Sequence, residues 1–101
     1  MIIYNVTIKV SWNIHDAWLD WMKREHIPEV VATGCFTGSQ LVKLLDTDET
    51  DGPTYAAQYF ANSRADYDRY VEVFAGDLRD KSTNKWGDAF VAFRTLMEVV
   101  R

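Results

Sequence analysis

The order in which two periodicities of apolar residues alternate along the chain constrains the fold more than any other feature. Residues 2–12 place apolar, mostly β-branched side chains at every second position, which predicts a half-buried strand. From Ile14, and again from Tyr67, apolar residues recur three and four positions apart, which predicts two amphipathic helices. Further strands are predicted at residues 36–46, 54–61 and 89–100. The predicted order is therefore strand, helix, strand, strand, helix, strand.

Capping and helix-breaking residues set the predicted ends of the helices. We expect Asn13 to cap the first helix and Pro28 to end or kink it, because proline disfavours the α region in the residue before it. Gly34 is expected to end the helix before the second strand, since glycine adopts the left-handed cap conformation. Ser63 is predicted to cap the next helix, and residues 77–86 to form a third, shorter helix.

This order of elements is the split βαβ pattern of a ferredoxin-like domain, which is an α+β fold. Right-handed crossovers place both helices on one face of a four-stranded antiparallel sheet, with the first strand inside the sheet beside the last. The chain has 101 residues, of which 48% are hydrophobic, and it contains no low-complexity segment or linker. We therefore expect residues 1–101 to form a single ferredoxin-like domain.

The second face of the predicted sheet has no helix to cover it. Residues 89–100 are apolar on both faces of their strand, which is typical of a strand that is buried on both sides. A monomer would then expose a larger apolar patch than soluble monomers usually carry. The sequence therefore predicts a homodimer in which two sheets pack together through this face.

Charge and cysteine content exclude several classes of partner. The formal net charge is −4, so a broad basic surface for nucleic acid is not expected. Cys35 has no second cysteine to pair with, which favours a reducing compartment. No apolar run reaches the ~18 residues of a membrane-spanning helix, and the start of the chain lacks the pattern of a signal peptide. These features predict a cytoplasmic protein that binds neither nucleic acid nor a membrane.

His26 is the one candidate for catalysis. It precedes Ile27 and Pro28 at the predicted end of the first helix, where a histidine either stabilises the helix dipole or acts as an acid or base in a cleft. His15 is predicted to lie in solvent. The spacing of His15, His26 and Cys35 does not match a metal site, and no phosphate-binding glycine motif is present, so we predict neither a metal nor a cofactor.

Polar residues within predicted strands are candidates for binding a ligand. Asparagine is depleted in central strands, so Asn5 needs a partner, and Arg94 in the last strand needs a carboxylate or an anionic ligand. In one interpretation Asn5 pairs with Gln58 or Thr95, and Arg94 with Glu25 or Glu29. In the other interpretation these side chains line a ligand site; the candidate ligand-binding residues are Asn5, Gln58, Tyr59, Trp86 and Arg94.

Three blocks of sequence resemble a known bacterial family. The blocks are MIIYNVT, WLDWMKREHIPEVVATG and FVAFRTLMEVV, and together they resemble the family catalogued as domain of unknown function 4286. The resemblance runs in order from Met1 to Val100. It implies a ferredoxin-like fold and similarity to the dimeric α/β-barrel superfamily, which includes small monooxygenases, lactone isomerases, haem-degrading enzymes and non-catalytic dimers. The family itself has no assigned activity.

Two details of the resemblance bear on chemistry. Some haem-degrading members of the superfamily combine a first-strand asparagine, a tryptophan and a histidine on a later helix. This chain has Asn5 and Trp86 but no histidine after residue 26, which argues against haem degradation. His26 with the two residues that follow it is more similar to the helix-end histidine of the lactone isomerase and EthD-like members.

Two hypotheses for function follow from the sequence. The first is a homodimeric binding, regulatory or interaction module. The alternative is a small-molecule enzyme of the dimeric α/β-barrel type, a cofactor-independent isomerase or monooxygenase. In that enzyme His26 would be the acid or base, Asn5, Gln58 and Arg94 would orient a polar or anionic ligand, and Trp86 would lie near the entrance.

Overall fold

The computed structural model describes all 101 residues and contains one four-stranded sheet. The strands are β1 (Ile2–Val10), β2 (Gly38–Lys43), β3 (Thr54–Ala61) and β4 (Phe90–Glu98). Their order across the sheet is β2-β3-β1-β4, and each neighbouring pair is antiparallel. β1 therefore lies inside the sheet beside β4, as predicted, and the architecture is the α+β ferredoxin-like fold.

The first helical region continues past Pro28, where the sequence predicts an end or a kink. It comprises α1 (His15–Trp21), a π-helical turn (Met22–His26) and α2 (Ile27–Ala32). Pro28 does not end it, because proline in the first turn of α2 lacks only an amide that would have no intrahelical partner. The predicted cap at Asn13 is also wrong: the N-cap is Ile14, and no side chain caps this end. Gly34 follows the helix with a φ of 80°, as its predicted role requires.

The second helical region divides at Phe74 into α3 (Arg64–Val73) and α4 (Ala75–Trp86). The Ser63 side chain caps α3, because its Oγ accepts a hydrogen bond from the Asp66 amide at 3.2 Å. This confirms the predicted cap. The third predicted helix is α4, which begins two residues earlier than the predicted 77–86 and ends at Trp86.

Removal of the Ser63 hydroxyl tests this cap. We expect Ser63→Ala to lower the free energy of unfolding by about 1 kcal/mol, because the Asp66 amide loses its acceptor. Asn62→Ala, at the exposed position immediately before it, is the matched control and should have little effect. Urea denaturation of the three proteins measures both changes, and equal stabilities would contradict the role of the cap.

The core lies between the helices and one face of the sheet. Trp18 and Trp21 of the first helix are buried, as predicted, with 2% and 8% of their surface exposed. Tyr4 of β1 stacks against Phe36 and Tyr59, at ring-centroid distances of 6.2 and 5.9 Å. Tyr4 also contacts Tyr67 and Tyr70 of α3, at ring-centroid distances of 5.3 and 5.7 Å, and these contacts join the sheet to that helix.

The other face of the sheet is not covered by any helix. A row of polar side chains crosses its centre: Gln40 donates to Gln58 at 2.7 Å, Gln58 donates to Asn5 at 3.2 Å, and Asn5 donates to Thr7 at 3.0 Å. Apolar side chains of β4 lie beside this row, and Val91 and Phe93 are 54% and 66% exposed. We call this surface the open sheet face.

Candidate functional site

A cavity of about 300 Å³ lies between the helices and the covered face of the sheet. Its walls are mostly apolar, with side chains contributed by the sheet and by both helical regions. Among them are Val6, Trp21, Val30, Tyr59 and Phe90. Concave, mostly apolar sites of this kind with a few polar groups are typical of small-molecule binding. The cavity is therefore the candidate functional site.

His26 lines the cavity from the π-helical turn that joins α1 to α2. Its ring stacks on Trp21 with centroids 4.8 Å apart and an angle of 22° between the ring planes. Its Nδ1 is buried and has no hydrogen-bond partner. Short π-helical segments are frequent at functional sites because they shift the side chains of one turn out of regular register. The turn here places His26, whose ring has one unpartnered nitrogen, in the wall of the cavity.

Burial keeps the His26 imidazole neutral at physiological pH. The pKa of His26 falls from 6.5 to about 4, chiefly because burial disfavours the charged ring. Nearby Glu29 raises this pKa, whereas Arg94 and Lys81 lower it. A neutral imidazole can accept a hydrogen bond at one nitrogen and donate one from the other, so His26 can bind a polar group or accept a proton from it.

Two phenols contribute further polar groups to the cavity. Tyr59, a predicted ligand-binding residue, lies on β3, and Tyr70 lies on α3; both are buried and line the cavity. Burial is the main cause that raises the pKa of each phenol well above its ordinary value. Both hydroxyls therefore stay protonated and can donate hydrogen bonds to a bound molecule.

Arg94 lines the cavity from the covered face of β4 and is itself exposed to solvent. It does not form the predicted ion pair with Glu25 or Glu29. Glu29 instead binds Lys81, with Nζ and Oε2 3.0 Å apart. The guanidinium of Arg94 is therefore left without a carboxylate partner.

Trp86, a predicted ligand-binding residue, is not among the residues that line the cavity. Its ring meets Trp21 edge-on at 5.8 Å, and Trp21 lines the cavity directly. Trp86 is half-buried, and its Nε1 is buried with no hydrogen-bond partner. His26 and Trp86, which both contact Trp21, thus each carry one unpartnered polar atom.

Asn5 and Gln58 do not join this site, because they belong to the open sheet face. Successive side chains of a strand point to opposite faces, so Tyr4 faces the helices and Asn5 faces away from them. Gln58 pairs with Asn5 across the two strands and hydrogen-bonds it there. This is the pairing that one interpretation of the sequence anticipated. The predicted ligand-binding set is therefore divided between two faces of the sheet.

His15 is not the solvated residue that the sequence predicted. Its Nε2 lies 2.7 Å from the Tyr55 hydroxyl, and its Nδ1 lies 2.8 Å from Asp16 Oδ1. The contact with Tyr55 ties the start of α1 to β3, so the structure explains His15 by a packing role. No three His, Cys, Asp or Glu side chains lie close enough together to hold a metal ion.

Sequence reasoning missed the contribution of α4 to the cavity. Arg79, Ser82 and Thr83 line it from this helix. The sequence placed these residues on a helix, but residues 77–86 contain too few apolar positions to show which side of the helix faces the core. A helical wheel centred on Leu78 would have placed Ser82 on the inner side, four residues along.

A family model described as "Domain of unknown function (DUF4286)" matches residues 1–100. The chain belongs to the DUF4286 family. No curated protein sequence matches this DUF4286 chain. No helix of the structure has the length and apolar character needed to cross a bilayer.

Solved structures with the same fold accompany this family match. A dimeric ferredoxin-like protein from an uncultured marine organism is similar over 99% of this chain and 95% of its own, with a TM-score of 0.75 and 8% identity. An antibiotic biosynthesis monooxygenase is similar over the whole of both chains, with a TM-score of 0.69 and 14% identity. An EthD family protein from Bacillus halodurans C-125 covers 99% of this chain and 100% of its own, with a TM-score of 0.71 and 8% identity. At these identities the likeness shows the fold alone.

Proposed function

We propose that this DUF4286 protein is a homodimer that binds a small molecule in the cavity between its helices and its sheet. The observation that carries the proposal is His26, which lines the cavity and has a buried ring nitrogen, Nδ1, without a hydrogen-bond partner. Buried polar atoms in native proteins almost always have a hydrogen-bond partner, because leaving one without a partner costs about 1–3 kcal/mol. A ligand group that bonds His26 would supply the missing partner.

The surroundings of His26 support a binding role. Aromatic and aliphatic walls can enclose the body of a small molecule, while His26, Tyr59 and Tyr70 offer a few fixed polar groups to orient it. The buried, unpaired Cys35 supports a reducing compartment such as the cytoplasm. A binding or regulatory module is the function that this arrangement favours.

The open sheet face supports the homodimer. Phe93 and Val91 lie exposed on β4 beside the polar row, and a second copy would bury them. Asn5 and Gln58 already satisfy each other within the row, so burial by a second sheet would leave few polar groups without partners. Two of the structural neighbours are described as dimeric ferredoxin-like proteins, which is consistent with this assembly.

An enzymatic role for the same cavity is the second candidate, and the neutral His26 favours it. A neutral imidazole can remove a proton from a bound molecule and return it to another position, which is an isomerisation that needs no cofactor. Several structural neighbours are described as monooxygenases, so oxygenation belongs to the same candidate. Exchange of a ligand proton with D₂O in the wild type, but not in His26→Ala, would distinguish an enzyme from a binding module.

A fragment screen followed by ¹H–¹⁵N NMR tests the proposed function. We expect some fragments to shift the indole signal of Trp21, and His26→Ala to weaken their binding about tenfold or more, because their hydrogen bond to His26 is lost. Lys23→Ala is the control, since Lys23 lies exposed on the same π-helical turn and does not line the cavity. A screen in which no fragment perturbs Trp21, or in which His26→Ala binds as well as the wild type, would contradict the proposal.

A further inference from the structure

The charged side chains that line the cavity are all of one sign. They are Arg79 of α4 and Arg94 of β4, and no aspartate or glutamate lines the cavity. The whole chain has 15 acidic and 11 basic residues, so the positive charge of the cavity lining is opposite in sign to the net charge of the protein. Both arginines are exposed, which places them where the cavity meets solvent.

These two arginines are also free of carboxylate partners. The ion pairs of the structure use other cationic residues, namely His15, Arg24, Lys43, Arg64 and Lys81. An arginine without a carboxylate keeps its planar set of donors available for an anion from solution. Arg79 and Arg94 therefore present two guanidinium groups at the mouth of an apolar cavity.

We infer that the cavity selects small organic anions, with Arg79 and Arg94 holding the anionic group and the apolar walls enclosing the body of the molecule. This inference rests on the proposed function, because it names the chemical class that the proposed binding site takes. Guanidinium groups bind carboxylates and phosphates through paired, charge-assisted hydrogen bonds. The walls contributed by Trp21 and Phe90 suit an aromatic or aliphatic body.

The electrostatic effects of the two arginines on residues of the cavity support their action on a common ligand. Arg79 and Arg94 both act to lower the pKa of Tyr70, against the larger effect of burial, so the charge of each reaches the same phenol. Arg94 also lowers the pKa of His26. A bound anion would offset this positive field, whereas a neutral ligand would not.

Three probes that share one aromatic body test the inference. They are naphthalene-2-carboxylate, 2-naphthyl phosphate and the neutral 2-naphthamide, each titrated while the Trp21 indole signal is followed by NMR. We expect at least one of the two anions to bind about tenfold tighter than the amide, and the preference to shrink at high salt. The difference between the carboxylate and the phosphate identifies which anionic group the site prefers.

Arginine variants locate the preference. Arg79→Gln and Arg94→Gln should each reduce the anion-to-amide ratio, and the double variant should abolish it. The dispersion of each ¹H–¹⁵N spectrum shows whether that variant is folded. Arg64→Gln removes the same charge from α3, outside the cavity, and should keep the full ratio.

The possible outcomes separate the inference from the proposed function. Amide binding as tight as that of both anions, or an anion preference that survives in the double variant, would overturn the inference and leave the binding function standing. Binding of neutral fragments only, with no response to either anion, would also overturn the inference and leave the binding function standing. A cavity that responds to none of the three probes and to no fragment would overturn the proposed function itself.

Discussion

Replacement of Phe93 by arginine is expected to convert the proposed homodimer to a monomer. Phe93 lies on the open sheet face of β4, opposite Thr7, and 66% of it is exposed in a single chain. A two-fold interface places every substitution in both partners, so Phe93→Arg introduces two charges where the proposed dimer has two apolar rings. Each buried, unpaired charge costs several kcal/mol, and dimer affinity should fall by a factor of about a thousand or more.

Sedimentation velocity at micromolar concentration measures this change directly. Val71→Arg is the matched control, because Val71 is 48% exposed on α3, on the side of the molecule away from the open sheet face. It should leave the dimer intact. A wild-type monomer at this concentration would contradict the homodimer, and a monomer produced by Val71→Arg alone would move the interface to the helices.

The fold could be predicted because each strand and helix carries its own periodicity. The alternation of apolar and polar residues along 2–12, with many β-branched side chains, predicted β1. The order of the elements then left few possible topologies for the sheet. The π-helical turn could not be predicted in the same way. Nothing in its sequence distinguishes it from a turn of an ordinary amphipathic helix. The stacking of His26 on Trp21 depends on tertiary contacts.

The candidate site was only partly predictable, and the reason lies in the direction of side chains. Tyr59 and Arg94 were identified as polar groups in strands, and both line the cavity. Asn5 was grouped with them, although the alternation of side chains along a strand places it on the opposite face of the sheet from the buried Tyr4. The sequence alone was therefore enough to separate Asn5 from the covered face. The position of Arg79 at the cavity could not be predicted from the sequence, because it depends on how α4 packs over the sheet.

Acidification is expected to destabilise the wild type more than a variant that lacks His26. The pKa of His26 is about 4 in the folded protein and 6.5 for an unperturbed histidine, so between these values the unfolded chain binds more protons than the folded one. The stability that His26 contributes is therefore present above about pH 6.5 and is lost as the pH falls towards 4. The loss for this shift is about 3 kcal/mol.

Urea denaturation at about pH 7, 5.5 and 4 measures this linkage. His26→Gln removes the titrating group, so its stability should fall by about 3 kcal/mol less than that of the wild type over this range. Equal losses in the two proteins would contradict the buried, neutral state of His26.

An NMR titration of the His26 ring gives the same quantity directly and connects it to the cavity. Arg94→Gln should raise the pKa of His26, because the Arg94 charge lowers it in the wild type. Arg64→Gln, which removes a charge from α3 outside the cavity, should leave that pKa unchanged. A His26 ring that titrates near 6.5 in the wild type would show that its imidazole is solvated and would contradict a ligand-binding role for His26.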